Sequence, residues 1–227
     1  MSYFLRYQPI VDITHGREII GYESFVSGSK GESPADLFKR HAGAIARFDS
    51  ELMHTAIKEA LPRLQPQQLL FLNVHPKTLL AGVSLPEGHA NQLVLEIMES
   101  TIYSARIKRQ LQQLALKGYT MAYDDFGKRN ANLDRLLSTT FRPSWIKLDK
   151  VFIAAYAEPQ VPLIIRYMLE LCELLHTKLI IEGVESEEQL QLLHTCGVRY
   201  VQGYYLGMPS RVIEGKTISS QPLQAVQ

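Results

Sequence analysis

The chain has 227 residues, 46% of them hydrophobic and 21% charged, enough for one large α/β domain with a substantial core and too few for two barrels. Lys and Arg (24) nearly match Asp and Glu (23), so no basic field is available to hold a DNA or RNA polymer, and an anionic ligand needs a local site. No apolar run approaches the roughly 18 residues that span a bilayer, which argues against membrane insertion. The two cysteines, Cys172 and Cys196, lack metal-ligand spacing and fit a reduced, cytoplasmic protein.

The segment from Met1 to Tyr7 lacks the layout of a signal peptide and reads as a first strand. Tyr3 to Asp12 and residues 19–26 flank a turn through Thr14, His15 and Gly16, which predicts an opening hairpin. After a polar stretch over 27–33, Pro34 is expected to begin a helix capped by Ser33. From residue 50 the pattern becomes regular. Helical spacing through Leu52, Ala56, Ile57 and Leu61 stops at Pro62, and an apolar run over 69–73 follows. A second run over 93–96 precedes a helix around Ile107, Leu111 and Leu114. The run 121–125 precedes a helix through Leu133, Leu136 and Leu137, and the run 145–149 precedes one from Pro162 to Leu175. Residues 179–182, a helix near Glu187 to Leu193 and residues 200–202 complete the series.

Short apolar strands alternating with amphipathic helices imply a parallel sheet with right-handed crossovers. About eight strands in this length favour closure. The expected fold is therefore α/β, a modified TIM-type (β/α)8 barrel with its first strand antiparallel, over residues 1–212, with 213–227 as a polar C-terminal tail. An open doubly wound sheet is the alternative, but no Gly-rich phosphate loop follows the first strand.

The informative feature is how the apolar runs end. Asn73, Glu96, Asp124 with Asp125, Lys147, Glu182 and Gln202 each lie in or close a different strand, and Glu23 does the same in the hairpin. In a parallel barrel these ends share one mouth, where active sites are built. A single acid at a strand end is usually a helix cap or a solvated loop residue, but a succession of polar endings is harder to explain that way. Gathered together, five carboxylates would repel one another, and a divalent cation removes the problem. All-oxygen ligands suit Mg²⁺ or Mn²⁺ over Zn²⁺. Adjacent Asp124 and Asp125 offer a carboxylate between two metals, the arrangement used for in-line attack on phosphodiesters. Other hydrolytic patterns are missing: no H-E-x-x-H, no HD-type cluster and no G-x-S-x-G elbow occurs. His75 is the one histidine near the expected mouth, and it reads as a wall residue.

At these positions the sequence resembles the EAL domain family, bacterial phosphodiesterases that hydrolyse cyclic di-GMP to the linear dinucleotide pGpG. The resemblance runs from Tyr7-Gln8-Pro9-Ile10-Val11 to Gln202-Gly203-Tyr204 and includes Asp124-Asp125-Phe126-Gly127, Ile146-Lys147-Leu148-Asp149 and Glu182-Gly183-Val184-Glu185. Leu95-Glu96-Ile97-Met98-Glu99-Ser100 is similar to the family's E-[IL]-T-E-S, with Met98 for Thr. The resemblance implies that Glu23, Asn73, Glu96 and Asp124 hold one metal, and that Asp124, Asp125 and Glu182 hold or face a second. The ions would be Mg²⁺ or Mn²⁺, with Ca²⁺ inhibiting. Lys147 would orient the attacking water, Glu182 is also a candidate general base, and Gln202 would help position the water. Gln8 would lie near the substrate phosphates. Independently of the resemblance, Tyr123, Tyr204 and Tyr205 near the expected mouth are candidates to flank a guanine base, with packing in the core as the equally frequent alternative. Glu99 and Glu185 would anchor loops, and a homodimer is implied.

The chain also departs from the family. The naming Glu-Ala-Leu is Glu23-Ser24-Phe25, which keeps the ligand, and Ser27 replaces an Arg that contacts the nucleotide. Lys128-Arg129-Asn130-Ala131-Asn132 replaces Thr-Gly-Tyr-Ser-Ser, and Met208 replaces an Arg before Pro209. Lys128 and Arg129 are read as solvated, with compensation for the lost phosphate contact as the alternative. The functional alternative is a weak or inactive domain acting as a cyclic di-GMP receptor or protein-interaction module.

Overall fold

The computed structural model describes residues 3–86, 88–128, 136, 142–213 and 215. The apolar runs form eight strands: β1 (Tyr3–Asp12), β2 (Glu18–Gly28), β3 (Leu69–Val74), β4 (Leu93–Ile97), β5 (Thr120–Phe126), β6 (Trp145–Leu148), β7 (Lys178–Ile181) and β8 (Tyr200–Gln202). They close in chain order into one barrel. β1 runs antiparallel to both β2 and β8, and each later neighbouring pair is parallel. The opening hairpin therefore supplies the strand that completes the ring, and closure excludes the open doubly wound alternative.

Helices form where apolar residues recur at three and four. They are α1 (Pro34–Arg40), α2 (Ile45–Ala60), α3 (Pro76–Ala81), α4 (Ala105–Leu116), α5 (Val151–Ala154), α6 (Val161–Leu174) and α7 (Glu187–Thr195). Pro34 sits in the first turn of α1, and Ser33 forms a reciprocal capping box with Asp36, as its position suggests. Helix α4 buries Ile107, Leu111 and Leu114, and α6 buries Val161, Ile165, Met168 and Cys172. Helices α3 and α5 span 6 and 4 residues, too short for a period to appear in the sequence. The helix expected through Leu133 and Leu137 lies outside the described residues, and Leu136 packs half-buried on the core. The expected tail also lies outside them, apart from residues 213 and 215. Among the described residues, no helix is long and apolar enough to cross a membrane, and both cysteines are free and buried.

Two apolar layers hold the barrel. The outer layer lies between strands and helices, and the inner one consists of Ile10, Phe71, Val94, Ala122, Trp145, Ile180 and Tyr200. Its rings meet edge to face, Phe71 on Trp145 at 5.6 Å and Trp145 on Tyr200 at 5.1 Å. The barrel interior is thus plugged, and everything above the plug is held on a rigid floor.

Where β8 ends, the backbone approaches its neighbour too closely for a side chain. A Cβ at Gly203 would stand 2.1 Å from Val184 O and 2.2 Å from Val184 N. Val184 is itself fixed by its N–H donating to Gln202 O and its carbonyl accepting from Tyr205 N–H. Gly203→Ala should therefore cost about 1–3 kcal/mol through overpacking. Gly43→Ala, with nothing within 4 Å of the new methyl, should stay within about 0.5 kcal/mol of the parent. Urea denaturation of the two variants checks this, and equal midpoints contradict it.

Candidate active site at the barrel mouth

Strand alternation places one polar residue above each member of the inner plug. Two positions on from Phe71, Val94, Ala122, Trp145, Ile180 and Tyr200 come Asn73, Glu96, Asp124, Lys147, Glu182 and Gln202. On antiparallel β1 the same step runs backwards, from Ile10 to Gln8, which pairs with Glu23 on β2. One layer of side chains higher, an apolar floor becomes a polar site. A cavity of about 640 Å³ opens over it, with Leu5, Phe38 and Met53 on one wall and Tyr204 at its rim.

Lys147 is the centre of this layer and is 1% exposed. Its Nζ lies 2.6 Å from Glu23 Oε2, 2.8 Å from Glu96 Oε1, 3.2 Å from Asp124 Oδ1 and 2.7 Å from Glu182 Oε1. Asn73 and Gln202 each donate to Glu23, at 2.9 Å, and Gln202 also donates to Gln8 Oε1 at 3.2 Å. An ammonium has three N–H donors, too few for four carboxylates, so the charges settle unequally. Burial alone pushes Glu23 up, but Lys147, Gln202 and Asn73 outweigh it and hold its carboxyl below the usual range. Glu96 is driven well above that range by burial and by Glu23, against the pull of Lys147. Glu182 is pushed up to about 8, chiefly by burial, with Lys147 opposing and Asp124 and Glu23 adding to the rise. Burial also acts to discharge Lys147, but the surrounding carboxylates keep it firmly protonated.

A second cluster adjoins the first. Regular alternation would send adjacent Asp124 and Asp125 to opposite faces. Instead the β5–β6 register shifts between Tyr123 and Phe126, Asp125 takes a positive φ of 53°, and both carboxylates line the cavity. Oxygens of Asp125, Asp149 and Glu182 lie within 4.8 Å of one another, a spacing that can hold a metal ion. Lys128 Nζ reaches Asp125 Oδ1 at 3.0 Å and Asp149 Oδ2 at 3.2 Å. Lys128 is thus ion-paired within the site, which corrects its reading as a solvated loop residue. Asp149 lay inside a recognised motif without a role; its place on the residue after β6, beside Lys147, was the available signal.

The other expected residues divide. Gln8 and Gln202 are buried in the polar layer, and Gln8 Nε2 donates to Gly207 O at 3.0 Å. Tyr204 is exposed at the rim, whereas Tyr205 bonds Glu187 and lies under Arg17. Tyr123 is 1% exposed in the outer core and cannot reach a ligand, because its neighbour Asp124 takes the inward direction. Glu185 lines the cavity, but the loop expected to rest on Glu99 lies outside the described residues, Arg129 to Asn132 among them. His75 is a wall residue that caps α3 by accepting from Lys77 N–H at 3.0 Å. Ser27 is buried, with no hydrogen-bond partner for its hydroxyl among the described residues, and Met208 is exposed.

The donor set fits a hard divalent cation. It is built of carboxylate and amide oxygens, and Glu96 Oε2 is buried with no hydrogen-bond partner among the described residues. An acceptor so placed is costly unless a cation shares it.

The sequence model of the EAL domain family matches residues 2–209. The cyclic di-GMP phosphodiesterase RocR of Pseudomonas aeruginosa is 35% identical over 157 residues, 64% of this chain and 39% of that protein. The probable cyclic di-GMP phosphodiesterase PdeA of Escherichia coli is 33% identical over 72% of this chain and 24% of that protein. This chain therefore spans less than half the length of either relative. Among solved structures, an EAL domain protein of Listeria monocytogenes superposes with a TM-score of 0.75 at 28% identity, covering 92% of this chain and 89% of that one. The manganese and cyclic di-GMP complex of Klebsiella pneumoniae BlrP1 superposes at 0.82, covering 92% and 56%, and at 24% identity it speaks for the fold alone.

Removing the central ammonium leaves buried carboxylates uncompensated, which costs about 3–5 kcal/mol. Lys147→Met in chelator should lose that much stability at pH 8. The loss should be smaller at pH 5.5. A carboxyl such as Glu182, raised to about 8 from 4.5, keeps its proton in the folded state, so its contribution is complete below about 4.5 and fades as pH rises toward 8. Without the ammonium that rise grows. Denaturant titrations at the two pH values check this, and a pH-independent loss would mean that Lys147 acts by packing alone.

Proposed function

The chain belongs to the EAL domain family, and from that membership we propose that it is a divalent-metal-dependent phosphodiesterase hydrolysing cyclic di-GMP to linear pGpG. The observation that carries this reading is the convergence of Glu23, Glu96, Asp124 and Glu182 on one buried lysine at the floor of an open cavity. Glu23, Asn73, Glu96 and Asp124 would hold one Mg²⁺ or Mn²⁺. Asp124, Asp125 and Glu182, joined by Asp149, would hold or face the second. When bound, such ions lower the pKa of a coordinated water and offset charge on the phosphoryl oxygens.

The chain's own groups supply the rest. Lys147, locked in a charged state, donates toward the attacking oxygen and opposes charge build-up as the P–O bond to the ribose breaks. Glu182, at the floor of the cavity with its Oε1 2.7 Å from Lys147 Nζ, is the candidate to take the water proton. Gln202, bonded to Glu23 and Gln8, orients the acceptors around that water. Gln8 and Tyr204 face the nucleotide, the tyrosine offering a ring on which a guanine stacks, worth about 1–3 kcal/mol. Glu99 and Glu185 are positioning residues for the loops around the mouth. A cytoplasmic setting fits two unpaired buried thiols.

A receptor with weak turnover is the second reading, and Lys128 bridging Asp125 and Asp149 favours it. Purified protein incubated with cyclic di-GMP and Mg²⁺ or Mn²⁺ should yield pGpG on chromatography, with no product in Ca²⁺ or from Glu23→Ala. Glu182→Ala should lose at least 10²-fold in turnover, as for a general base, while retaining ligand binding by calorimetry. Tight binding without product would replace the enzyme with the receptor. A homodimer belongs to the same reading, and sedimentation at tens of micromolar should show it; monomer alone, with and without nucleotide, would remove it.

A further inference from the structure

Building on the two-cation phosphodiesterase reading, we propose that Lys128 is a tethered cation that occupies the second metal position, so that the second divalent ion binds only when this side chain swings out. The resemblance places a threonine at this point in the family's loop; here an ammonium has been added on a side chain long enough to reach the acids.

The geometry carries the argument. Asp125, Asp149 and Glu182 present oxygens within 4.8 Å of one another, and Lys128 Nζ already spans two of them at 3.0 and 3.2 Å. Mg²⁺ and Mn²⁺ demand about six oxygens in near-octahedral array. An ammonium shared between two of the donors fills the space between them and repels an approaching dication. The competitor is also covalently close. Gly127, with φ of 85° and the Phe152 ring 2.6 Å from where a Cβ would stand, folds the chain back tightly, and Lys128 N–H donates to Asp125 O at 3.2 Å. The ammonium is therefore present at the high effective concentration of an intramolecular ligand.

The two lysines of the site differ in kind. Lys147 is sealed at 1% side-chain exposure by four carboxylates, whereas the Lys128 side chain is 42% exposed and Asp125 35%. Lys147 is a permanent part of the floor. Lys128 lies within reach of water at the mouth and can be displaced. Glu23, Asn73 and Glu96, assigned to the first metal position, lie outside the ion pairs of Lys128.

Calorimetric titration of Mn²⁺ into chelator-treated, dialysed full chain tests this without any measure of turnover. Lys128→Met, which keeps the length and removes the charge, should bind a second Mn²⁺ at least tenfold more tightly than the parent. Lys128→Arg, which keeps the charge, should bind like the parent, and thermal melts establish that each variant is folded. Two equally tight ions in both the parent and Lys128→Met would overturn the role of Lys128 and leave the two-cation reading intact. A single ion in both would overturn it too, since the lysine would not be what keeps the second out. No bound Mn²⁺ in any variant would remove this inference together with the metal-dependent reading.

Discussion

The site depends on one buried ammonium. Lys147 is 1% exposed at the centre of a barrel, where an unpaired cation costs several kcal/mol. It stays there because Glu23, Glu96, Asp124 and Glu182 surround it within 3.2 Å. The reverse dependence is as strong. Those carboxylates converge from β2, β4, β5 and the end of β7, and without a shared cation they would force the strand ends apart or take up protons. The arrangement is self-consistent but not neutral. Three donors face four acids, and the carboxyls of Glu96 and Glu182 are driven upward, chiefly by burial, with the neighbouring carboxylates adding to the rise. A fold with that residual demand for positive charge is prepared for a divalent ion.

The barrel makes the arrangement affordable. Beneath the polar layer, Phe71, Trp145 and Tyr200 interlock edge to face and block access of water from below. Each polar residue sits two positions above a plug residue on its own strand, so its direction is set by backbone geometry before any polar contact forms. Helices α2, α4 and α6 seal the outside with buried apolar stripes. The charged layer therefore opens toward the cavity, and the electrostatic frustration is directed at whatever enters from the mouth.

The floor was legible in the sequence and the rim was not, for a physical reason. Asn73, Glu96, Lys147, Glu182 and Gln202 announce themselves because an apolar run ends in a polar residue at a strand's carboxyl end, and period-two alternation does the rest. The opening hairpin and the Ser33 cap follow from turn and capping chemistry in the same way. Alternation misleads where the backbone breaks it. Asp125 reaches the cavity through an irregular register and a positive φ, and Tyr123 is turned into the outer core by the same strand's parity. Lys128 and Asp149 meet only because a tight turn at Gly127 folds back over β6. Sequence spacing carries no sign of that contact, and exposure statistics alone made a loop lysine look solvated.

The departures from the family pattern fall where the physics permits change. On the floor each residue is bound to the charges of the others. Replacing Glu23 would strip Lys147, Asn73 and Gln202 of a shared partner, and replacing Lys147 would strand four acids. No single substitution there is cheap. Around the mouth the constraint is weaker: Lys128 is half in water and Met208 is exposed, while Ser27, near the end of β2, has no hydrogen-bond partner for its hydroxyl among the described residues. Changes at these positions leave the barrel and its buried charges intact, and Lys128 among them lines the cavity. The chain keeps the buried charges of the polar layer while its rim differs from the family pattern. The Lys128 ion pairs are the most direct instance, because they put a positive charge on Asp125 and Asp149, beside Glu182.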